Sequence, residues 1–187
     1  MLNGLVGVAE FLITTICGIY AFILLFRFFL QAVKADFYNP ICQLVMKVTN
    51  IFVMPARKVV PSFFRLDWSC IAVAYIVFMI QDLALGYIRG IGFNEIFVFV
   101  KPIIDITFAV LYMYIYLIII RAISSWFSQG QYNPALMAIA QVTEPLLSRA
   151  RTVIKPAGGF DFAPMIVLLS LFCIQIFISG VVASLFS

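Results

Sequence analysis

Five polar side chains that could do chemistry lie inside long apolar runs. They are three carboxylic acids, Glu10, Asp82 and Asp105, and two amides, Gln81 and Gln175. Polar groups in apolar surroundings are costly to bury, and are therefore candidates for function. Carboxylates at the mouth of a pore, with amides deeper inside, would attract cations. The structural alternative is that the acids reach water near helix ends and the glutamines bond across helices.

Enzymatic chemistry lacks its usual residues in this chain. There is no histidine, the commonest general base and metal ligand. The four cysteines form no C-x-x-C pair and are interpreted as small hydrophobes; they are Cys17, Cys42, Cys70 and Cys173. No Gly-rich phosphate loop is present either. We therefore predict a non-enzyme with no catalytic residue, no cofactor and no metal site.

The elements that position the polar residues must be lipid-embedded helices. Of the 187 residues, 65% are hydrophobic and 11% charged, with a mean hydropathy of +1.14, whereas soluble domains are roughly 45–50% apolar and about 25% charged. A helix needs about 20 apolar residues to cross a bilayer. Four segments qualify, at about residues 6–30, 68–88, 102–126 and 162–186. We predict an all-α membrane protein with four transmembrane helices, because backbone in lipid must bond to itself.

Basic residues predict the orientation of these helices. They concentrate in the two long loops, which hold Lys34, Lys47, Arg57, Lys58 and Arg65, and Arg149, Arg151 and Lys155. Cytoplasmic loops collect lysine and arginine, so both loops are predicted to be cytoplasmic and both termini to lie outside. Arg27 and Arg121, at the inner ends of the first and third spans, are predicted inner-leaflet anchors that extend to lipid phosphates. The alternative is that they pair with a substrate or partner.

The chain contains an internal repeat with a shift of 94 residues. Each copy is a helix, a loop and a helix, so the two copies are parallel, and we predict repeats at residues 1–93 and 94–187. One local insertion is needed around the prolines. The matched loop residues are Tyr38, Asn39, Pro40, Arg57, Pro61 and Asp67 in the first copy, and Tyr132, Asn133, Pro134, Arg151, Pro156 and Asp161 in the second.

Each loop is predicted to contain a short amphipathic helix that begins at the Tyr-Asn-Pro motif. One apolar stripe comprises Ile41, Leu44, Val45, Val48 and Phe52, and the other comprises Leu146, Leu147, Ala150, Val153 and Ile154. Such helices either lie in the headgroup region or pack against the ends of the spans. Asp67 and Asp161 are predicted N-caps of the second and fourth spans, with a chemical role as the alternative.

These loop residues resemble the YggT family of small integral membrane proteins. The second copy, QYNPALMAIAQVTEPLLSRARTVIKPAGGFDFAPM, has Pro145, Arg151, Gly158-Gly159, Asp161 and Pro164 in the family order. The first copy departs from it, since Asn50 and Ile51 replace an acid-proline pair and residues 63–65 replace the glycines. The resemblance implies a two-repeat arrangement like that of proteobacterial members. It implies no established activity, but links to osmotic tolerance, envelope organisation and cell division.

Two classes of function follow. The first is a scaffold in the bacterial inner membrane, with periplasmic termini, that presents basic amphipathic loops to membrane lipids or a cytoplasmic protein partner. The alternative is a small ion channel or transport component that uses the intramembrane acids and amides. Four spans are few for a solute path, so either class suits a homo-oligomer. Direct nucleic-acid binding is not expected.

Overall fold

The computed structural model describes residues 2–61, 66–90, 95–127, 133–154 and 161–186, with no β-strand among them. All of the regular elements in the described part are helices, which confirms the predicted all-α class. Its elements are α1 (Leu2–Ala32), α2 (Pro40–Ala56), α3 (Trp68–Arg89), α4 (Glu95–Phe127), α5 (Pro134–Val153) and α6 (Ala163–Phe186).

Four helices in the described residues are long and apolar enough to cross a membrane. The qualifying stretches are Gly4–Ala32, Trp68–Arg89, Val98–Ser125 and Ala163–Ser184, which confirms the four predicted spans. The third stretch begins four residues before the start expected near Pro102, and α4 continues through this proline. Proline removes one backbone donor from a helix interior but does not always end the helix.

The chain forms two compact units, residues 1–110 and 111–187, and α4 contributes to both. The first unit contains α1, α2, α3 and the beginning of α4. The second contains the end of α4 with α5 and α6. The repeat boundary predicted between residues 93 and 94 is a boundary of sequence copies rather than of compact units, and it stays a prediction.

The core of the first unit lies between α1 and α3. Leu24 and Phe28, one helical turn apart on α1, pack with Cys70, Val73 and Ala74 of α3. This spacing of three to four residues gives each helix an inward stripe, and near the end of α1 the residues Leu25, Phe26 and Arg27 are buried as well. The two helices run antiparallel, because Phe28 near the end of α1 packs on Trp68 at the start of α3, with ring centroids 5.6 Å apart. Gly90, in the left-handed conformation (φ 66°), ends α3.

Helix α2 has an inner and an outer apolar face. Its buried residues are Cys42, Val45, Thr49 and Val53, and its exposed apolar residues are Leu44, Val48, Ile51, Phe52 and Met54. The single stripe predicted from the sequence is therefore divided: Val45 faces inward, whereas Leu44, Val48 and Phe52 face outward. The outer face is therefore an apolar surface that the described residues leave exposed.

Helix α5 has only one apolar face. It buries Ala138, Ile139, Val142, Thr143 and Leu147. Of the face predicted from the sequence, Leu147 is buried and Val153 is 81% exposed, and the placement of this face among headgroups or against the spans stays a prediction. The buried residues end at Leu147, and Val153 lies in the last turn of α5 beyond them.

Candidate functional site

The Tyr-Asn-Pro motifs start α2 and α5 as predicted. The Asn39 side chain accepts the Ile41 N–H at 2.8 Å, and Asn133 accepts the Ala135 N–H at 2.9 Å. The following prolines are the first helical residues, where a missing N–H has no cost. Tyr38 is exposed, and its backbone N–H donates to Asp36. Tyr132 and Pro156 lie outside the described residues, whereas Pro61 is exposed beyond the end of α2.

A buried polar cluster joins the end of α1 to α2. The guanidinium of Arg27 donates from Nη1 to Thr49 Oγ1 at 2.6 Å and to Asn50 Oδ1 at 2.9 Å. Thr49 in turn donates to the Val45 carbonyl one turn earlier. Arg27 is only 6% exposed. Its polar partners here belong to the protein, so its predicted role as a lipid anchor stays a prediction.

The cluster is completed by the residue before α3. Asp67 Oδ2 accepts from Arg57 Nε at 2.9 Å and also from Arg57 Nη2, and Arg27 Nη2 lies 3.8 Å from it. The Asp67 side chain is 1% exposed, whereas that of Arg57 is 43% exposed. The hydrogen bond to Asp67 raises the pKa of the Arg57 guanidinium. We call Arg27, Thr49, Asn50, Arg57 and Asp67 the first cluster.

The second repeat builds the same cluster from the residues 94 positions later. Arg121 donates to Thr143 Oγ1 at 2.8 Å and to Glu144 Oε2 at 2.5 Å. Arg151 donates to Glu144 Oε1 at 2.6 Å and to Asp161 Oδ2 at 2.9 Å. We call these five residues the second cluster. The prediction that Arg121 anchors in lipid likewise stays a prediction.

The clusters differ in charge at one position. Two arginines face one carboxylate, Asp67, in the first cluster, but two carboxylates, Glu144 and Asp161, in the second. Asn50 stands where the second repeat has Glu144. The first cluster therefore has one uncompensated positive charge, and the second is neutral.

The carboxylates of the second cluster are stabilised in their charged form. Partial burial raises the pKa of Glu144, but hydrogen bonds and charge from Arg121 and Arg151 outweigh it and leave that pKa below its ordinary 4.5. Partial burial also raises the pKa of Asp161. There, hydrogen bonds from Arg151 and the Ala163 N–H hold the pKa below 3.8.

The predicted N-caps have different outcomes. Asp161 Oδ1 accepts the backbone N–H of Ala163 at 3.0 Å and so caps α6. Asp67 lies at the N-cap position of α3 but makes no capping bond, so the prediction was wrong for its side chain. The physical reason is that its carboxylate is directed to Arg27 and Arg57, whose charge outweighs a single backbone donor.

The predicted intramembrane acids are paired with basic residues. Glu10 of α1 accepts two hydrogen bonds from Arg89 of α3, at 2.9 and 3.1 Å. Lys101 of α4 bridges Asp82 and Asp105, at 2.7 Å from the latter. Each acid thus has a cationic partner.

The amides differ between the repeats. Gln175 donates to the Tyr112 hydroxyl at 2.8 Å, which is a bond across helices of the kind predicted. Gln81 is buried, and its carbonyl oxygen has no hydrogen-bond partner in the described part of the chain.

Sequence reasoning missed the neutral members of the clusters. Thr49 and Thr143, and the basic partners Arg89 and Lys101, are not among the functional residues expected from the sequence. The signal that could have found the threonines is the repeat itself, because a polar residue kept in an otherwise apolar stripe at the same place in both copies indicates a buried partner.

The described residues contain no group of three or more acids, cysteines or histidines that could hold a metal ion. Cys42 and Cys70 are buried, and burial raises the pKa of the Cys42 thiol. A thiol with a raised pKa is a poor nucleophile.

A family model and several known proteins match this chain over most of its length. The CCB3/YggT family model matches residues 6–88 and again residues 100–182. The chain is 31% identical over 186 residues to "Uncharacterized protein PA0392" of Pseudomonas aeruginosa, covering 97% of this chain and 93% of that protein. It is 32% identical over 171 residues to "Uncharacterized protein YggT" of Escherichia coli, covering 91% and 89%.

A shorter relative is similar to only part of the chain. "Uncharacterized protein ycf19" of Guillardia theta is 28% identical over 72 residues, which is 38% of this chain but 79% of that protein. No solved structure matches the chain.

Proposed function

The chain belongs to the CCB3/YggT family, and from this we propose that it is a non-enzymatic membrane scaffold. In this role α2 lies in the lipid interface, and the loop surface of both repeats presents basic residues to a cytoplasmic protein partner. We further propose the bacterial inner membrane as its location and envelope organisation under osmotic stress as its setting.

The observation that carries this proposal is the outer face of α2. Leu44 and Ile51, two turns apart, are 57% and 71% exposed. Their helix is held to α1 by the bonds of Arg27 to Thr49 and Asn50. An apolar face fixed at the end of a membrane span suits insertion among headgroups. Fixing it in this way lowers the ordering cost of binding lipid or a partner.

The proposal is tested by making this face polar in the full chain. We expect the double variant Leu44→Gln, Ile51→Gln to reach the membrane in normal amount but to fail to restore growth of a deletion strain after osmotic upshift. Val59→Gln is the matched control, because Val59 is also apolar and exposed but lies beyond α2. Full restoration by the double variant would contradict the scaffold role.

A second candidate, a small ion channel or transport component, is favoured by the pairing of Lys101 with Asp82 and Asp105. Two carboxylates around one ammonium leave a net negative charge within the apolar helices, and such groups mark ion pathways in other membrane proteins. Purified chain in liposomes would then conduct potassium ions or protons, and Asp82→Asn would change the flux. No flux under either gradient would contradict this candidate.

A further inference from the structure

We propose that the first repeat binds one phosphate group in the cavity between α1 and α2, through Arg27 and Arg57. This goes beyond the scaffold role, because it concerns the interior of the repeat rather than the outer face of α2.

The cavity has the size and lining for an oxyanion. Its volume is about 120 Å³, and its polar lining consists of Arg27, Arg57 and Gln31. At about 30 Å³ for each water molecule in the liquid, this is room for a group of four or so heavy atoms. The remaining lining is apolar and includes Phe37 and Met46.

The net positive charge of the first cluster favours the binding of an anion. Arg27 donates to two neutral oxygens, and its distance to the Asp67 carboxylate is 3.8 Å. The nitrogens Nε and Nη2 of Arg57 already donate to Asp67. A guanidinium that is 6% exposed is costly to bury without a counter-charge.

The second cluster contains such a counter-charge, the carboxylate of Glu144. There the Glu144 carboxylate bonds both Arg121 and Arg151, at 2.5 and 2.6 Å. In the first repeat the corresponding residue is Asn50, which bonds only Arg27 and brings no charge. A phosphate between Arg27 and Arg57 would replace the missing carboxylate.

Phosphate has the geometry and the charge that this position requires. The planar guanidinium pairs with two oxygens of a phosphate at once. A phosphodiester carries one negative charge, which matches the one uncompensated charge of the cluster. Arg27 lies near the end of a membrane span, so the phosphate comes either from a lipid headgroup or from free phosphate.

The experiment compares three forms of the purified full chain in detergent. The wild type is titrated with inorganic phosphate by calorimetry, and separately with phosphatidylglycerol, with retention read by native mass spectrometry. Asn50→Glu gives the first cluster the charge of the second, and Asn50→Gln is the uncharged control of the same size. We expect the wild type and Asn50→Gln to bind one phosphate group, and Asn50→Glu to bind it at least about tenfold more weakly.

A second variant makes the test independent of changes at Asn50. Gln31→Glu adds a carboxylate to the cavity lining at a residue outside the first cluster, and we expect it to weaken binding as well. Binding of inorganic phosphate supports a soluble source, and binding of phosphatidylglycerol alone supports a headgroup. Equal binding by the wild type and both glutamate variants, or no binding of either probe to the wild type, would overturn the proposal.

Discussion

At the scale of single residues, the same aspartate has two environments in one chain. Asp67 is almost fully buried between two arginines, whereas Asp161 is 34% exposed and also caps a helix. Removing one partner of a buried ion pair leaves the other charge uncompensated, whereas exposed pairs contribute little. The two positions therefore form an internal comparison.

We expect Asp67→Asn to destabilise the protein by about 3–5 kcal/mol, because Arg27 and Arg57 lose their one carboxylate. Asp161→Asn should cost about 1 kcal/mol or less, since asparagine still accepts the Ala163 N–H and the pair is partly solvated. Unfolding of each variant in mixed micelles, followed by circular dichroism, measures the difference. Equal losses for the two variants would show that burial does not set the importance of this aspartate.

The lowered pKa of Glu144 predicts a pH dependence of stability. A carboxyl whose pKa is lower in the folded state contributes stability above its ordinary pKa of 4.5, and this contribution disappears as the pH falls through the folded-state pKa. The difference in unfolding midpoint between wild type and Glu144→Gln should thus be constant from pH 7 to about pH 4.5 and decrease below it. Asn50→Gln, which removes no titrating group, should show no such decrease. A pH-independent difference for Glu144→Gln would contradict the prediction.

At the scale of elements, the start of a helix could be predicted from its capping residues, whereas its buried face could not. The start of α2 at Pro40 follows from the Asn-Pro dipeptide alone, and the structure has the expected cap at Asn39. The inward face of α2 could not be predicted in the same way, because apolar residues occupy both sides of the helix. What decides the face is Thr49, whose partner Arg27 is 22 residues away.

The different outer faces of α2 and α5 predict different surroundings. Met54 and Ser148 occupy matching positions in the two repeats, and both are exposed. In liposomes, an environment-sensitive fluorophore on Met54→Cys should report apolar surroundings and be quenched by spin-labelled lipid. The same fluorophore on Ser148→Cys should report water. The background carries Cys17→Ser and Cys173→Ser, and identical spectra at the two positions would contradict the prediction.

At the scale of the whole molecule, composition and repeat carry most of the prediction. Four spans and two tandem copies followed from apolar runs and from residues matched 94 apart, and the family match has the same two parts. The pairing of Glu10 with Arg89 could not be predicted, because it joins residues 79 positions apart. Only the packing of α1 against α3 brings them together.

The orientation of the chain is predicted by its basic loops. An alkaline phosphatase fused after Ser187 should be active, because the reporter folds only on the outer side, and a green fluorescent protein at the same place should be dark. Fusions within the loop that contains Lys34 should show the opposite pattern. Fluorescence from the fusion after Ser187 would mean that the termini are cytoplasmic.

The two ion pairs that join α1 to α3 affect how these helices can tilt in a membrane. The two helices are joined at one end through Arg27 and Asp67 and at the other through Glu10 and Arg89. The apolar stretch of α3 has 22 residues, a length of about 33 Å that is close to the hydrocarbon thickness. The apolar stretch of α1 has 29 residues. Residues 4–9 therefore extend about 9 Å beyond the ion pair at Glu10. Tilting α1 alone would separate the partners of one of these ion pairs, so we expect the two helices to tilt together or the lipid to thicken around this overhang. We therefore expect the stability of this protein to depend on bilayer thickness.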